Sequence, residues 1–267
     1  MERARFVSEP VLRVAREGGR ARVTLARPAV RNAFNAELIA RLRDAFAALA
    51  ADSGVRLVVL DGEGSIFCGG ADVNWMRGAL ELGEAENVRD AEALSDMLRT
   101  IDRCPKPVIA RVHGAALGAG AGLCAVCDAV VAADDTIFGF TETKLGIVPA
   151  VISPFTIAKI GVSHARRLFL TGERFDAERA RAIGLVHELV PAALLDEAVE
   201  TIARECETAG PSAVAAIKNL IPAVQAASYD ESRELTARAI AKARVSDEGQ
   251  EGLRAFLERR PASWIAE

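Results

Sequence analysis

The amino-acid sequence predicts an α/β protein that ends in a helical region. In the first part of the chain, short apolar runs that resemble strands alternate with segments whose apolar residues recur at helical spacing. Strands that alternate with helices favour parallel pairing in a layered α/β structure. From about residue 160 onward the pattern is almost entirely helical. We therefore divide the 267 residues into an α/β body, residues 1–197, and a helical C-terminal region, residues 198–267.

The body begins with a strand and a helix, which differ in the spacing of their apolar residues. Residues 20–27 alternate apolar and polar side chains, whereas residues 35–52 repeat apolar side chains at helical spacing. The fully apolar run at 55–62 ends in a turn, which predicts a buried strand. Residues 90–104 return to helical spacing, and two prolines end that helix around the start of the apolar strand 106–112.

Two further strands follow, at 129–134 and 136–142, before helical patterns take over. Each later helix carries an apolar stripe, which must be covered by a partner surface. We expect these helices to form an assembly surface, with Trp264 either at a subunit contact or in a frayed tail. The helices predicted in this region are 193–209, 211–227, 230–245 and 247–259.

Composition and charge exclude several classes of protein. Hydrophobic residues make up 51% of the chain and charged residues 26%, which suits a sizeable core with an ordinary surface. Because the net charge is -4 and the arginines are scattered, we expect no nucleic-acid partner and no membrane contact. No apolar run reaches the roughly 20 residues of a spanning helix, and no apolar segment follows the charged N-terminus MERARFVSEP. These features predict a cytoplasmic enzyme without a secretory signal.

Cysteine and histidine patterns argue against a metal site and a disulfide framework. The five cysteines are irregularly spaced, and the pair Cys124 and Cys127 lies in an apolar helical segment without nearby histidine ligands. We expect buried, inert thiols there rather than a metal or redox site. None of the three histidines stands in an HExxH spacing, and the chain contains no GxSxG elbow or P-loop. A metalloenzyme or a serine hydrolase is therefore not supported.

Two turns are unusually poor in large side chains. The segment GSIFCGGADVNWM (64–76) follows the strand at 55–62, and HGAALGAGAGLCAVCD (113–128) follows the strand at 106–112. Turns at the carboxyl ends of parallel strands are where α/β sheets place ligands. Two bare N–H groups that converge on one oxygen would form an oxyanion hole. Tight packing of turns explains either segment alone, but two such segments at matching positions favour a binding site.

Five segments of the chain resemble the crotonase superfamily, the enoyl-CoA hydratases and isomerases. The resemblance covers essentially the whole chain in order. It implies a spiral of repeated ββα units, closed by C-terminal helices that build trimers, which commonly pair into hexamers. The segments are RPAVRNAFNAEL (27–38), FCGGAD (67–72), KPVIARVHGAALGAGAGLCAVCD (106–128), FGFTETKLGIVP (138–149) and FLTGERFDAERARAIGLVHELV (169–190).

The resemblance also implies how an acyl-CoA substrate would bind. The thioester oxygen would lie between the backbone amides of Ala71 and Ala119. The CoA portion would lie against the main chain, and Arg31 would contact a CoA phosphate unless it is an ordinary surface arginine. No further cofactor is implied, since CoA is part of the substrate. The CoA-binding segment would comprise Gly69, Gly70, Ala71, Asp72 and Val73.

Proton transfer needs a carboxylate, and this chain has one of the two that hydratases of the family commonly use. The second aligns with Glu142, whose apolar neighbours in sequence would raise the pKa of its carboxyl if it were buried. The alternative is an exposed glutamate paired with Lys144. The position of the first glutamate is occupied by Gly122. One carboxylate suffices for a Δ3,Δ2-enoyl-CoA isomerase, and hydration with one carboxylate is also possible.

Residues 70–76 and 141–177 are most similar to the bacterial methylglutaconyl-CoA hydratases within the superfamily. That resemblance implies a branched substrate, 3-methylglutaconyl-CoA, whose acyl chain ends in a second carboxylate. A buried carboxylate needs a cationic or hydroxyl partner. Trp75 and Phe155 could wall the acyl pocket or simply pack in the core. The available partners are Lys144, Arg111, His113 and Ser153.

Three functional hypotheses follow. The first is a hydratase that adds water to an α,β-unsaturated acyl-CoA, with Glu142 as general acid and base. The second is an enoyl-CoA isomerase that uses the same site without added water. The third is a scaffold of the same fold that has lost catalysis, which Gly122 makes conceivable.

Overall fold

Two β-sheets and a surrounding layer of helices make up the computed structural model, which describes residues 10–265. The extreme N-terminus, for which the sequence predicts no secretory signal, lies outside the described residues. Within the described range the strands are β1 (Leu12–Glu17), β2 (Arg20–Leu25), β3 (Leu57–Gly62), β4 (Val108–Val112), β5 (Ala115–Leu117), β6 (Ala129–Ala133), β7 (Ile137–Gly139), β8 (Arg174–Asp176) and β9 (Glu188–Val190). The helices are α1 (Ala36–Ala51), α2 (Val73–Ala79), α3 (Glu84–Asp102), α4 (Ala119–Val126), α5 (Ser153–Thr171), α6 (Ala177–Ala182), α7 (Leu195–Thr208), α8 (Pro211–Ala226), α9 (Tyr229–Val245) and α10 (Asp247–Glu258).

The larger sheet has the strand order β1-β2-β3-β4-β6-β9. β1 pairs antiparallel with β2, and all the other neighbours in this sheet are parallel. The smaller sheet has the order β5-β7-β8, in which β5 and β7 are parallel and β7 and β8 antiparallel. The α/β class and the parallel pairing predicted from the sequence are therefore confirmed.

Consecutive ββα units wind through both sheets. In the units β4-β5-α4 and β6-β7-α5, the first strand joins the larger sheet and the second joins the smaller sheet. An isolated parallel bridge between Cys68 and Ala116 extends the smaller sheet toward the turn after β3. This is the spiral of ββα units that the resemblance implies, and the helical region follows it.

The main core lies between the sheets and helices α1, α3, α4 and α5. Asn35 caps α1 by accepting a hydrogen bond from the Leu38 amide, and α1 then buries Leu42 and Phe46 completely against the sheet. The opposite face of the larger sheet carries a second apolar cluster. There α7 covers the sheet with its buried residues Leu195, Val199 and Ala203.

Several elements differ from those predicted. The strand expected at 136–142 ends at Gly139, and Glu142 begins a short 3-10 helix, Glu142–Leu145, which Gly146 closes with a φ of 74°. The predicted helix 90–104 begins earlier, at Glu84. The region after residue 160 also contains β8 and β9, three residues each, because such short strands leave no periodic pattern.

The predicted boundary between residues 197 and 198 falls inside α7. Because α7 packs on the larger sheet, it belongs to the body. The helices that leave the sheet begin with α8, and neither α8 nor α9 contains a fully buried side chain. Arg56 ties this region to the body through hydrogen bonds to the carbonyls of Ala209 and Trp264. None of the helices between residues 10 and 265 combines the length and hydropathy of a membrane span.

Candidate active site

Backbone hydrogen bonds hold the two small-residue turns side by side. The Phe67 amide donates to the His113 carbonyl at 2.9 Å, and the Cys68 amide donates to the Ala115 carbonyl at 3.0 Å. The Leu117 amide returns a bond of 3.0 Å to the Cys68 carbonyl. These bonds follow from the parallel pairing of β3 with β4, which brings both strand ends to one edge of the sheet.

Glycine is required where the two turns touch. Gly70 has a φ of 98° and Gly118 a φ of 52°, a region that residues with a side chain rarely adopt. A β-carbon on Gly70 would stand 3.0 Å from the Leu117 carbonyl oxygen, and one on Gly118 would stand 3.9 Å from the Gly70 α-carbon. The peptide groups that follow these two glycines are therefore close neighbours.

Those peptide groups carry the N–H groups of Ala71 and Ala119. Within residues 10–265, neither N–H donates a hydrogen bond to a protein acceptor. Ala119 is the first residue of α4, so its N–H is one of the donors that a helix leaves unpaired. The helix dipole adds partial positive charge at the same point. Two unpaired donors thus border one cavity, an arrangement suited to a developing oxyanion.

The small residues of α4 serve packing as well as binding. A β-carbon on Gly120 would lie 2.6 Å from the Cys68 carbonyl oxygen, so α4 can approach the other turn only with glycine there. The thiol of Cys124 lies fully buried in the same helix, and burial raises its pKa far above the ordinary value. The small residues of this segment therefore have two explanations. Gly120 allows close packing of α4, whereas the residues around Gly118 leave room for a ligand.

Glu142 lies against Gly118, in the second small-residue turn. Its Oε1 stands 3.3 Å from the point where a β-carbon on Gly118 would lie, so glycine makes room for the carboxylate. Its Oε2 is buried and has no hydrogen-bond partner among the described residues. Burial raises the pKa of this carboxyl above its ordinary value.

The alternative pairing of Glu142 with Lys144 does not form in the described chain. The carboxylate makes no ion pair within residues 10–265, and Lys144 is exposed. The alkyl chain of Lys144 instead packs beside Gly172, where a β-carbon would meet its Cγ at 3.0 Å. Lys144 does not line the cavity that contains Glu142.

Ile152 fills the space beside Gly122. A β-carbon on Gly122 would lie 2.4 Å from Ile152 Cγ2, and Ile152 is only 2% exposed. A glutamate at position 122 would collide with the Ile152 side chain. The packing of Ile152 is therefore incompatible with a carboxylate at this position. Sequence reasoning missed Ile152 because nothing in the pattern connects residues 122 and 152.

Glu142, Ala71 and Ala119 line one cavity of about 330 Å³, together with Trp75. Its walls are mostly apolar, which suits an acyl chain. The apolar side chains are Trp75, Met76, Ala79, Ala91, Leu94, Leu145, Ile147, Val148, Pro149, Ala150, Val151 and Ile152. The other polar side chains are Asn87, Asp90 and Thr141, none of which the sequence analysis singled out.

None of the partners considered for a second substrate carboxylate lines this cavity. Arg111 is bound to Asp196, with Nε 2.6 Å from Oδ1. His113 Nε2 lies 3.0 Å from the Gly64 carbonyl oxygen, and the Ser153 hydroxyl donates to the Ala150 carbonyl at 2.7 Å.

Phe155 is also displaced from the predicted wall. It lies on α5 at a separate cavity, lined by Lys159 and Lys218 among others. Because Ser153 begins α5, the helix turns this side chain away from the cavity that contains Glu142. Only Trp75 of the two aromatic candidates lies where the sequence analysis expected it.

The predicted CoA-binding segment divides into two parts. Gly69 and Gly70 line the cavity, and the Gly69 amide donates to the Arg31 carbonyl at 2.8 Å, which places the exposed Arg31 beside this segment. Asp72 instead is buried, caps α2 and pairs with Arg27 at 2.7 Å. It therefore has a structural role in this chain. Val73 begins α2, 69% exposed and outside the cavity.

No cluster of metal ligands accompanies the site. Among the described residues, no three His, Cys, Asp or Glu side chains lie close enough together to hold a metal ion. All five cysteines are unpaired, and four of them are buried.

The spiral fold is that of the crotonase superfamily. A sequence model of the enoyl-CoA hydratase/isomerase family matches residues 15–267. The 2,3-dehydroadipyl-CoA hydratase of Escherichia coli is 34% identical over 244 residues, covering 89% of this chain and 92% of that protein. The chain belongs to the enoyl-CoA hydratase/isomerase family.

Solved structures agree with this assignment. An enoyl-CoA hydratase from Shewanella pealeana has a TM-score of 0.93 and 34% identity, with 96% of each chain covered. Pseudomonas aeruginosa AtuE has a TM-score of 0.93 and 37% identity, with 96% of this chain and 100% of that chain covered.

Proposed function

We propose that the chain is a hydratase that adds water to an α,β-unsaturated acyl-CoA. The observation that carries the proposal is the meeting of Glu142 with the unpaired amides of Ala71 and Ala119 in one cavity. Addition to a conjugated thioester places negative charge on the thioester oxygen. Two preorganised N–H donors stabilise that charge, and one such donor is worth about 3–4 kcal/mol in other enzymes.

Glu142 carries both proton transfers in this proposal. As a carboxylate it removes a proton from water while the water oxygen bonds to Cβ of the substrate. The π electrons move to the thioester oxygen, which becomes an enolate held by the amides of Ala71 and Ala119. The protonated Glu142 then delivers the proton to Cα, and the carbonyl re-forms. One water molecule has been added, and the carboxylate is restored.

Burial of Glu142 suits this double role. A carboxylate that lacks hydrogen-bond partners is a stronger base, and its protonated form is stable long enough to act as an acid. The unpartnered, buried Oε2 provides this condition. No second carboxylate is needed for the balance of protons.

The second candidate function is Δ3,Δ2-enoyl-CoA isomerisation. Ile152 favours it, because this apolar side chain occupies the space beside Gly122 where many hydratases carry their first glutamate. In that reaction Glu142 would remove a proton from Cα of a β,γ-unsaturated thioester and return it to Cγ. The same oxyanion amides would hold the dienolate.

The resemblance in sequence suggests 3-methylglutaconyl-CoA as the substrate, an acyl chain that ends in a second carboxylate. The cavity lining instead favours a thioester without the second carboxylate. Among the described residues that line the cavity there is no lysine, arginine or histidine, whereas Asp90 is present. An unpaired buried carboxylate is costly, and a like charge increases the cost.

Loss of absorbance of the conjugated thioester tests the proposal. The purified chain is expected to hydrate an α,β-unsaturated acyl-CoA, and Glu142→Gln is expected to lower kcat by roughly 100-fold or more. Glu178→Gln, an exposed change on α6, is the matched control and should leave kcat unchanged. Conversion of a β,γ-enoyl-CoA to the conjugated form without hydration would support the isomerase instead. Activity that depends on Glu142 would eliminate the scaffold hypothesis.

We further propose that the enzyme works as a trimer or a hexamer in the cytoplasm, without a nucleic-acid or membrane partner. Exposed apolar side chains on the C-terminal helices support assembly, since such side chains are usually covered. The net charge of -4 supports the absence of a nucleic-acid partner.

A further inference from the structure

Asp90 places a carboxylate in a mostly apolar cavity, the acyl cavity, which Asn87 of the same helix also lines. It lies on α3, next to Ala91 and one turn before Leu94, both of which line the same cavity. Asp90 and Trp75 also border a small adjoining cavity of about 60 Å³. Asp90 and Trp75 therefore both line the acyl cavity and this smaller cavity.

No cation neutralises Asp90 in the described structure. It makes no ion pair and no side-chain hydrogen bond within residues 10–265. Arg43 borders the small cavity, but its guanidinium is bound to Asp44 by hydrogen bonds of 3.0 and 2.8 Å. No cationic side chain of the described residues therefore pairs with Asp90, which lines the acyl cavity.

We infer that Asp90 is a specificity-determining residue that makes the acyl cavity discriminate against acyl chains ending in a carboxylate. The distal end of an acyl chain would lie between Asp90 and the apolar side chains of Leu94 and Trp75. Two like charges in a partly desolvated cavity repel each other strongly, and no lysine, arginine or histidine of the described lining offsets the repulsion. An uncharged chain of the same length meets no such penalty.

This inference rests on the proposed function, because it assumes that an acyl-CoA occupies the cavity. A binding experiment separates the two. Pentanoyl-CoA and glutaryl-CoA have acyl chains of equal carbon number, and neither has a double bond to hydrate. Their dissociation constants can be measured by calorimetry on the full chain at neutral pH, independently of any turnover.

The wild-type protein is expected to bind pentanoyl-CoA more tightly than glutaryl-CoA. Asp90→Asn is expected to tighten glutaryl-CoA binding by about tenfold and to change pentanoyl-CoA binding by no more than about twofold. Glu92→Gln removes the same charge from an exposed position of the same helix and should leave the ratio unchanged. Asp90→Ser provides a second neutral variant should the amide disturb folding.

An unchanged ratio in Asp90→Asn and Asp90→Ser, with pentanoyl-CoA still bound, overturns the role of Asp90 and leaves the proposed function intact. Equal affinity of the wild-type protein for both thioesters does the same. If neither thioester binds, the proposed function fails together with this inference.

Discussion

At the scale of single residues, the role proposed for Glu142 sets two opposing requirements. A general base must be ionised, whereas burial disfavours the ionised form. The fold places the carboxylate beside Gly118 and leaves Oε2 without a partner, so burial raises the pKa. Burial of the ionised carboxylate lowers the stability of the folded protein. It also makes the carboxylate a stronger base, which favours proton transfer to and from a carbon atom.

The pH dependence of kcat/KM follows from this pKa. Hydration begins with the ionised form of Glu142, so activity should fall as the pH drops through the raised pKa of that group. We expect the acidic limb of the profile to lie above the ordinary glutamate value, and steady-state rates between acid and neutral pH measure it. An acidic limb at or below the ordinary value would mean that the titrating base is not a desolvated Glu142.

Gly118 offers a second test at the residue scale. Alanine there would have to adopt a φ of 52°, and its β-carbon would approach Glu142 Oε1 to 3.3 Å. We expect Gly118→Ala to lower kcat by roughly 100-fold, because both the Ala119 amide and the carboxylate would move. Steady-state kinetics gives the measurement.

The control for this change is Gly18→Ala. Gly18 has a similar φ of 56°, and nothing lies within 4 Å of its β-carbon position. It should share the backbone strain, of order 1–3 kcal/mol, without loss of kcat. Equal loss of activity in both variants would show that strain in general, rather than the oxyanion turn, explains the effect.

Sequence reasoning reached some of these residues and missed others for identifiable reasons. The two small-residue turns were visible because glycine and alanine concentrate after two strands. Ile152 was not visible, because its contact with Gly122 depends on how α5 is placed over α4. Asp90 was overlooked because a carboxylate near the start of a helix reads as part of a solvated surface.

At the scale of elements, long helices and buried strands were predictable, and short elements were not. α1 and β4 have a periodic or uniformly apolar pattern that marks their ends within a few residues. The strands β5, β7 and β8 have three residues each, too few for a pattern. These strands pair with one another only because the chain winds as a spiral, and local sequence does not show which distant segments will meet.

The segment that joins the first oxyanion turn to α2 depends on Asp72. Its carboxylate accepts the Asn74 amide and pairs with Arg27, whose side chain is 15% exposed. Although burial alone would raise the pKa of Asp72, the hydrogen bonds from Arg27 and the α2 amides lower it below its ordinary value. The stabilisation is therefore complete above the ordinary pKa of aspartate and is lost as the pH falls through the lowered value.

Substitutions at Asp72 should separate the ion pair from the helix cap. We expect Asp72→Asn to lower the free energy of unfolding by about 3 kcal/mol, because the largely buried guanidinium of Arg27 would lose its carboxylate partner. Asp72→Ala should cost about 1 kcal/mol more, because the cap is lost too. Denaturant unfolding measures both values. Asp176→Ala, an exposed cap of α6, should cost only about 1 kcal/mol, and a similar cost for Asp72→Asn would refute the buried pair.

At the scale of the whole molecule, the C-terminal helices expose apolar surface that the chain itself does not cover. On α10, Phe256 is 80% exposed and Leu257 is 78% exposed. Ile217 on α8 and Ile240 on α9 are each about half exposed, at 47% and 50%. Apolar stripes in the sequence predict an assembly surface in this region, and the exposed side chains support that prediction.

Sedimentation velocity tests the expected assembly. We expect a trimer or a hexamer for the wild-type chain and a shift to smaller species for Phe256→Asp, which places a charge in an apolar contact. Arg254→Asp on the same helix is the control and should sediment as the wild type does. A wild-type monomer at micromolar concentration would contradict the assembly.

The claim on which the whole account depends is that the amides of Ala71 and Ala119 bind one thioester oxygen beside Glu142. A crystal structure with a saturated acyl-CoA bound would measure this directly. We predict that the thioester oxygen lies about 2.7–3.1 Å from both amide nitrogens, with the Glu142 carboxylate facing Cα and Cβ. A thioester oxygen bound elsewhere, or within reach of only one of the two nitrogens, would contradict it.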